Sequence, residues 1–261
     1  MRRMAPRASA RIRKVITVGL AVISIAALSA ADAGAASGPV SGGPSGVGLC
    51  AGKAAAAQTS PTVVTLKAFG DCEIARRQTT LAALSLAVKS SKGLTSADVS
   101  ALDGAIGSAS AELSTLKANL DSELALIAVK GTIAQIVSKV RVYLVVVPQV
   151  RLTIAADDVL TLQPHLTQLS ATLADRVAAA KTAGRDVTAA QTALDAMNAA
   201  LAKAESLAAP WPARLVALTP AAYTAGSGAT VIDQARVALV SASAQLKIAV
   251  ADGKAVLAAL A

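Results

Sequence analysis

Apolar positions along residues 60–260 recur with the spacing of helices. Val99, Ile106, Leu113, Leu120 and Ile127 stand seven residues apart, and Leu102, Ala109 and Leu116 fill the position between them. This is the two-position seam of a heptad repeat. Glu123 interrupts the second series, so a bend or short break is expected there. Upstream, Ser60-Pro61 reads as the cap and first turn of a helix that runs to about Lys92 and stops at Gly93. Its inward positions are Leu66, Ile74, Leu81, Leu84 and Val88. Ser96 then caps the heptad helix, with Asp98 at its positive end.

Residues 131–147 are ambiguous, because Val137, Val140, Val142 and Val145 to Val147 favour strand locally. A lone strand would lack a partner, so the segment is read as helix, and Pro148 is expected to end or kink it. A third long helix follows, with Val159, Leu162, Leu166, Leu169, Leu173 and Val177 on one stripe, and ends at Gly184. A fourth starts near Asp186. It places Val187, Leu194 and Leu201 in one series and Ala190, Met197 and Ala204 in the other. Residues 209–228 carry Pro210, Pro212, Pro220, Gly226 and Gly228 and read as a loop with room for one short helix. The last helix has Ile232, Leu239, Leu246 and Leu260 in one series and Ala235, Ala242, Ala249 and Val256 in the other. The expectation is an all-α chain whose residues 60–261 form one domain, an antiparallel bundle of about five long helices with coiled-coil-like packing. Asp98-Val99-Ser100-Ala101 and Asp186-Val187-Thr188-Ala189 open helices in matching places. A doubled helical hairpin explains the match, and so does low complexity.

The N-terminus changes the picture. Arg2, Arg3, Arg7, Arg11, Arg13 and Lys14 precede an uncharged apolar run from Val15 to Ala31, and small residues at Ala31, Ala33 and Ala35 follow. This three-part pattern reads as a signal peptide over residues 1–35. Uncleaved, the run of 17 residues is marginal for spanning a bilayer. Residues 36–59 read as a flexible Gly/Ser/Pro/Ala linker. The formal charge is +9 for the whole 261 residues. Residues 1–35 hold six of the basic and one of the acidic side chains, which leaves 19 basic against 15 acidic, a net +4. That mild, spread charge does not predict a nucleic-acid footprint. It allows weak contact with anionic wall polymers or a membrane surface.

Candidate chemistry is sparse. Alanine occupies 64 positions, and Phe69, Tyr143, Trp211 and Tyr223 are the aromatics. Cys50 and Cys72 are an even pair, and an exported setting favours a bridge between them over two free thiols. His165 shares a helix face with Asp158, next to Asp157, and Asp121 and Glu123 form a second carboxylate pair. Hydrolysis of glycosides by such carboxylates wants a sugar cleft, usually lined with aromatics, and this chain is poor in them. No cofactor motif, metal-ligand spacing or nucleophile elbow is present, so no catalytic set is expected. Arg141, Tyr143 and Arg151 around Pro148 are the distinctive constellation. They read either as support for a kink or as a recognition patch for a partner.

The run Arg141-Val142-Tyr143-Leu144-Val145-Val146-Val147-Pro148-Gln149-Val150, with Ala155-Ala156-Asp157 after it, resembles exported, Ala-rich, all-helical proteins of high-GC Gram-positive bacteria. Gly184-Arg185-Asp186-Val187 leading to Leu194 and Met197 resembles the same group. The likeness covers most of residues 60–260. The group carries no assigned activity, so the resemblance implies location and fold and adds no site residue. Together these readings lead to an expectation of a non-enzymatic protein, secreted or held in the extracytoplasmic envelope. It would act as a structural or interaction module toward a protein or a cell-wall component. The rival expectation is a membrane-active helical protein that forms pores or binds lipid.

Overall fold

Alanine and leucine, which lose little freedom in a helix, dominate this chain. In the computed structural model, which describes residues 48–261, every regular element is accordingly helical, and no strand occurs among the described residues. The signal-peptide reading and the first part of the linker lie outside them. The helices are α1 (Ala51–Thr59), α2 (Val63–Ser90), α3 (Ser96–Ser122) and α4 (Leu126–Ser138), then a π-helical turn (Val142–Val146) and α5 (Val147–Thr182). They continue as α6 (Thr188–Ala208), α7 (Trp211–Val216), α8 (Pro220–Thr224) and α9 (Ser227–Ala259). One domain was expected over 60–261, but the chain divides into two compact units. The first holds residues 48–154 with Pro212–Gln234; the second holds Ala155–Trp211 with Ala235–Ala261.

In the first unit, Ala51–Thr59 is helix where a flexible linker was expected. Its run of alanines has the highest helix propensity of any residue, and the Cys50–Cys72 bridge anchors its start to α2. The cap of α2 is Thr62, not Ser60: Thr62 and Thr65 hydrogen-bond each other's backbone N–H reciprocally. Ile74, Leu81 and Val88 of α2, Leu102, Leu113, Leu116 and Leu120 of α3, and Val129 and Ile136 of α4 are buried in one core. Gly70 of α2 lies at a close approach: a Cβ there would stand 2.7 Å from Cδ2 of Leu120, so that buried side chain would have to shift. The break anticipated near Glu123 is present, because Glu123 caps the C-terminus of α3. It shifts the helical phase, so Ile127, expected in the seam, is 83% exposed. Glu123 accepts a hydrogen bond from the buried Thr132 at 2.6 Å and so fixes the corner.

Pro148 does not end the helix. It sits in the first turn of α5, directly after the π turn, where the Val147 N–H reaches back to the Val142 carbonyl. The wide turn relieves the clash between the proline ring and the preceding carbonyls. Residues 209–228 hold two short helices, α7 and α8, where one was expected. The amide of buried Gln149 donates to the Leu215 and Val216 carbonyls at 3.0 and 3.2 Å, covering the end of α7.

The second unit is made of longer pieces. Gly184, at φ 77°, ends α5 in the left-handed region that a glycine enters without steric cost. Arg185 N–H then reaches the Ala180 carbonyl at 3.0 Å. Asp186 accepts from the Thr188 N–H at 2.9 Å as α6 opens. Leu166, Leu173 and Val177 of α5, Leu194, Met197 and Leu201 of α6, and Leu239, Leu246 and Val256 of α9 are buried. Leu162, expected on the same stripe, is half-buried.

Candidate functional site

The distinctive side chains of the first unit gather around the π turn. Glu73, Arg76, Arg77 and Thr80 stand at spacings of three and four on α2 and so share one face. Tyr143 is carried to that face by the π turn. Its ring lies 4.8 Å from the Arg76 guanidinium and 5.3 Å from that of Arg77, and its hydroxyl is 3.3 Å from the Thr80 hydroxyl. Glu73 accepts from Arg76 at 2.7 Å and also from Arg77. Burial alone would push the Glu73 carboxyl up. Hydrogen bonds from Arg77 and Arg76, with their charges, outweigh it and hold the group below its ordinary value. Arg77 is buried and Arg76 half-buried, and the Nε of Arg76 has no hydrogen-bond partner. Two guanidiniums against one carboxylate leave a local excess of positive charge, which the negative face of the tyrosine ring moderates.

Arg141 begins the π turn at φ 47°, a left-handed conformation uncommon for a side-chain-bearing residue. Its guanidinium lies 5.3 Å from the Tyr223 ring, and its Nε donates to the Thr224 hydroxyl at 3.2 Å. Gly228 makes this placement of Tyr223 possible, since a Cβ there would lie 2.8 Å from the tyrosine backbone. Of the three patch residues expected, Tyr143 is thus held by α2 and Arg141 by α8, while Arg151 is exposed on α5. Arg76, Arg77, Tyr223 and Thr224 were not anticipated. The α2 spacing was visible in the sequence, whereas nothing local joined residue 141 to residue 223.

Between α2 and α3 runs an open groove of about 380 Å³ with an aliphatic floor of Leu81 and Ile106 and with Lys89 and Asp103 in its lining. Cys50 and Cys72 form a disulfide with Cα atoms 5.8 Å apart. His165 is exposed, Asp157 is buried, and burial pushes the carboxyl of Asp158 up. Asp121 pairs with Lys117 at 2.5 Å. Among the described residues, no cluster of His, Cys, Asp or Glu is placed to hold a metal ion. Comparison with protein-family models, with curated proteins and with solved structures returns no match for this chain.

Proposed function

We propose that this chain is an exported, non-enzymatic helical protein that serves as a structural or interaction module at the cell envelope, its helices packed as an antiparallel bundle on heptad seams. The observation that carries the reading is the Cys50–Cys72 disulfide. Such bonds persist in oxidising compartments and are rare in the cytosol. The basic and apolar residues 1–35 supply the address. Of the three residues expected to form a recognition patch, exposed Arg151 is the one left open to a wall component or a partner protein, since Tyr143 and Arg141 are engaged within the chain.

Fractionation of producing cells tests the address. The protein is expected outside the cytoplasm, beginning after Ala33 or Ala35, with both cysteines resistant to alkylation before reduction. A cytoplasmic chain that begins at Met1 and has two reactive thiols would sink the reading.

One observation favours the membrane-active alternative. The helical stretch Leu126–Thr182 contains an 18-residue window apolar enough to cross a bilayer by length and composition, of which 39% is buried. Sedimentation with anionic vesicles separates the readings, because an envelope module that recognises protein or wall polymer stays in the supernatant.

A further inference from the structure

In the unit of Ala155–Trp211 and Ala235–Ala261, the exposed large aliphatic side chains among the described residues are Val237, Val240 and Ile248, and all stand on α9. Ala244, Ala251 and Ala255 are exposed on the same arc, at spacings of three and four. α9 therefore carries two apolar faces. The inner one, with Leu239, Ala242, Leu246, Ala249 and Val256, is buried within the unit. A helix with one buried stripe ordinarily turns a polar face to water. α6 does so, exposing Gln191, Thr192, Asp195, Asn198 and Glu205. The outer face of α9 is less polar: between Val237 and Ala255 its exposed polar side chains are Lys247 and Lys254, which stand along one edge.

We infer that the outer face of α9 is an interface with a second copy of this chain, the two α9 helices pairing in parallel about a two-fold axis. Val237, Ala244 and Ala251 form one heptad series of this face, and Ser241, Ile248 and Ala255 form the other. In that register Lys247 and Lys254 line one flank, and Gln245 and Asp252 line the opposite flank. Parallel pairing sets unlike flanks together, so Lys247 meets Asp252 of the second copy, and symmetry repeats the contact. Antiparallel pairing would set the lysine flanks against each other, which is repulsive. The alanines let the two helices approach closely, and Val237 and Ile248 supply the buried apolar contact.

Sedimentation equilibrium of the purified protein reads the proposal. A dimer is expected, and Ile248→Glu should weaken it at least about thirtyfold while leaving helicity unchanged and removing the concentration dependence of the melting temperature. Ala251→Cys should form an interchain disulfide with its own counterpart. Lys247→Glu and Asp252→Lys should each weaken association, and the double variant should restore it. A protein that stays monomeric, or a dimer indifferent to Ile248→Glu, overturns the proposal. So does a monomer whose binding to lipid vesicles depends on Ile248. A dimer that Ile248→Glu dissociates but Ala251→Cys does not cross-link overturns the parallel pairing.

Discussion

The unit of residues 48–154 and 212–234 is held by pinned contacts between unlike groups. It has a disulfide, a tyrosine ring against two guanidiniums, a glutamine amide over the last carbonyls of a short helix, and a carboxylate on a buried threonine. The unit of Ala155–Trp211 and Ala235–Ala261 is held by repetition. Its helices are long, and its seam alternates leucine or methionine with fully buried alanines at 190, 204, 235, 242 and 249. The difference follows from local sequence. The first unit must accommodate β-branched residues 142 and 145–147, Pro148, and short helices rich in proline and glycine. Each of these leaves carbonyls or unusual dihedrals that specific side chains satisfy. The second unit has fewer of them, Pro164 inside α5 and the hydrogen bond from buried Ser170 to Asn198 among them, and hydrophobic burial along its seam carries more of the packing.

The largest effects should come from the two seams and should be alike. Leu113→Ala in the first unit and Leu173→Ala in the second each remove a side chain with no exposed surface and should cost about 2–5 kcal/mol by urea denaturation. Exposed Lys181→Ala should cost little. A small loss at Leu173 alone would mean that the repetitive seam is loosely packed.

Disulfide removal should separate the units. Cys50→Ser with Cys72→Ser opens a loop of sequence separation 22 and should lower the stability of the first unit by about 3 kcal/mol. Hydrogen exchange is expected to speed in α1 and α2 and to stay unchanged over residues 188–208. Equal loss of protection in α6 would show that the two units unfold together.

Glycine substitutions should differ in sign. Gly70→Ala drives a methyl group into Leu120 and should destabilise by about 1–3 kcal/mol. Gly104→Ala in α3, where a Cβ meets open space, should stabilise by about 0.5–1 kcal/mol. Thermal melts of the two variants read both.

The smallest effect is confined to the Arg–Tyr cluster. The Glu73 carboxyl sits below its ordinary value of 4.5 in the folded chain, so folding favours its charged form. Its contribution is complete above that value and fades as pH falls through the lowered one. Glu73→Gln should therefore flatten the acid limb of the stability curve below about pH 4.5 and leave the second unit's acid response unchanged.

Helix class, the seams of α2, α3, α6 and α9, the stop at Gly184 and the break at Glu123 were legible in residues 60–260. All are set by interactions within a few residues: propensity, heptad spacing, and the left-handed conformation that glycine tolerates. The pairing of Cys50 with Cys72 was legible through compartment chemistry. The exposure of Ile127 was not, because a break of three residues resets the helical phase and only packing decides which face then turns inward. Tyr143 against Arg76 and Arg77, and Arg141 against Tyr223, join residues more than sixty positions apart, and periodicity carries no information on such pairs. The sequence by itself determined that this chain is helical and where most of its helices stop. Tertiary structure alone decided the division into two units, the rescue of Pro148 by a π turn, and which side chains occupy the arginines. Those outcomes depend on which distant surfaces meet, and that is settled by the summed burial of whole helices rather than by any local preference.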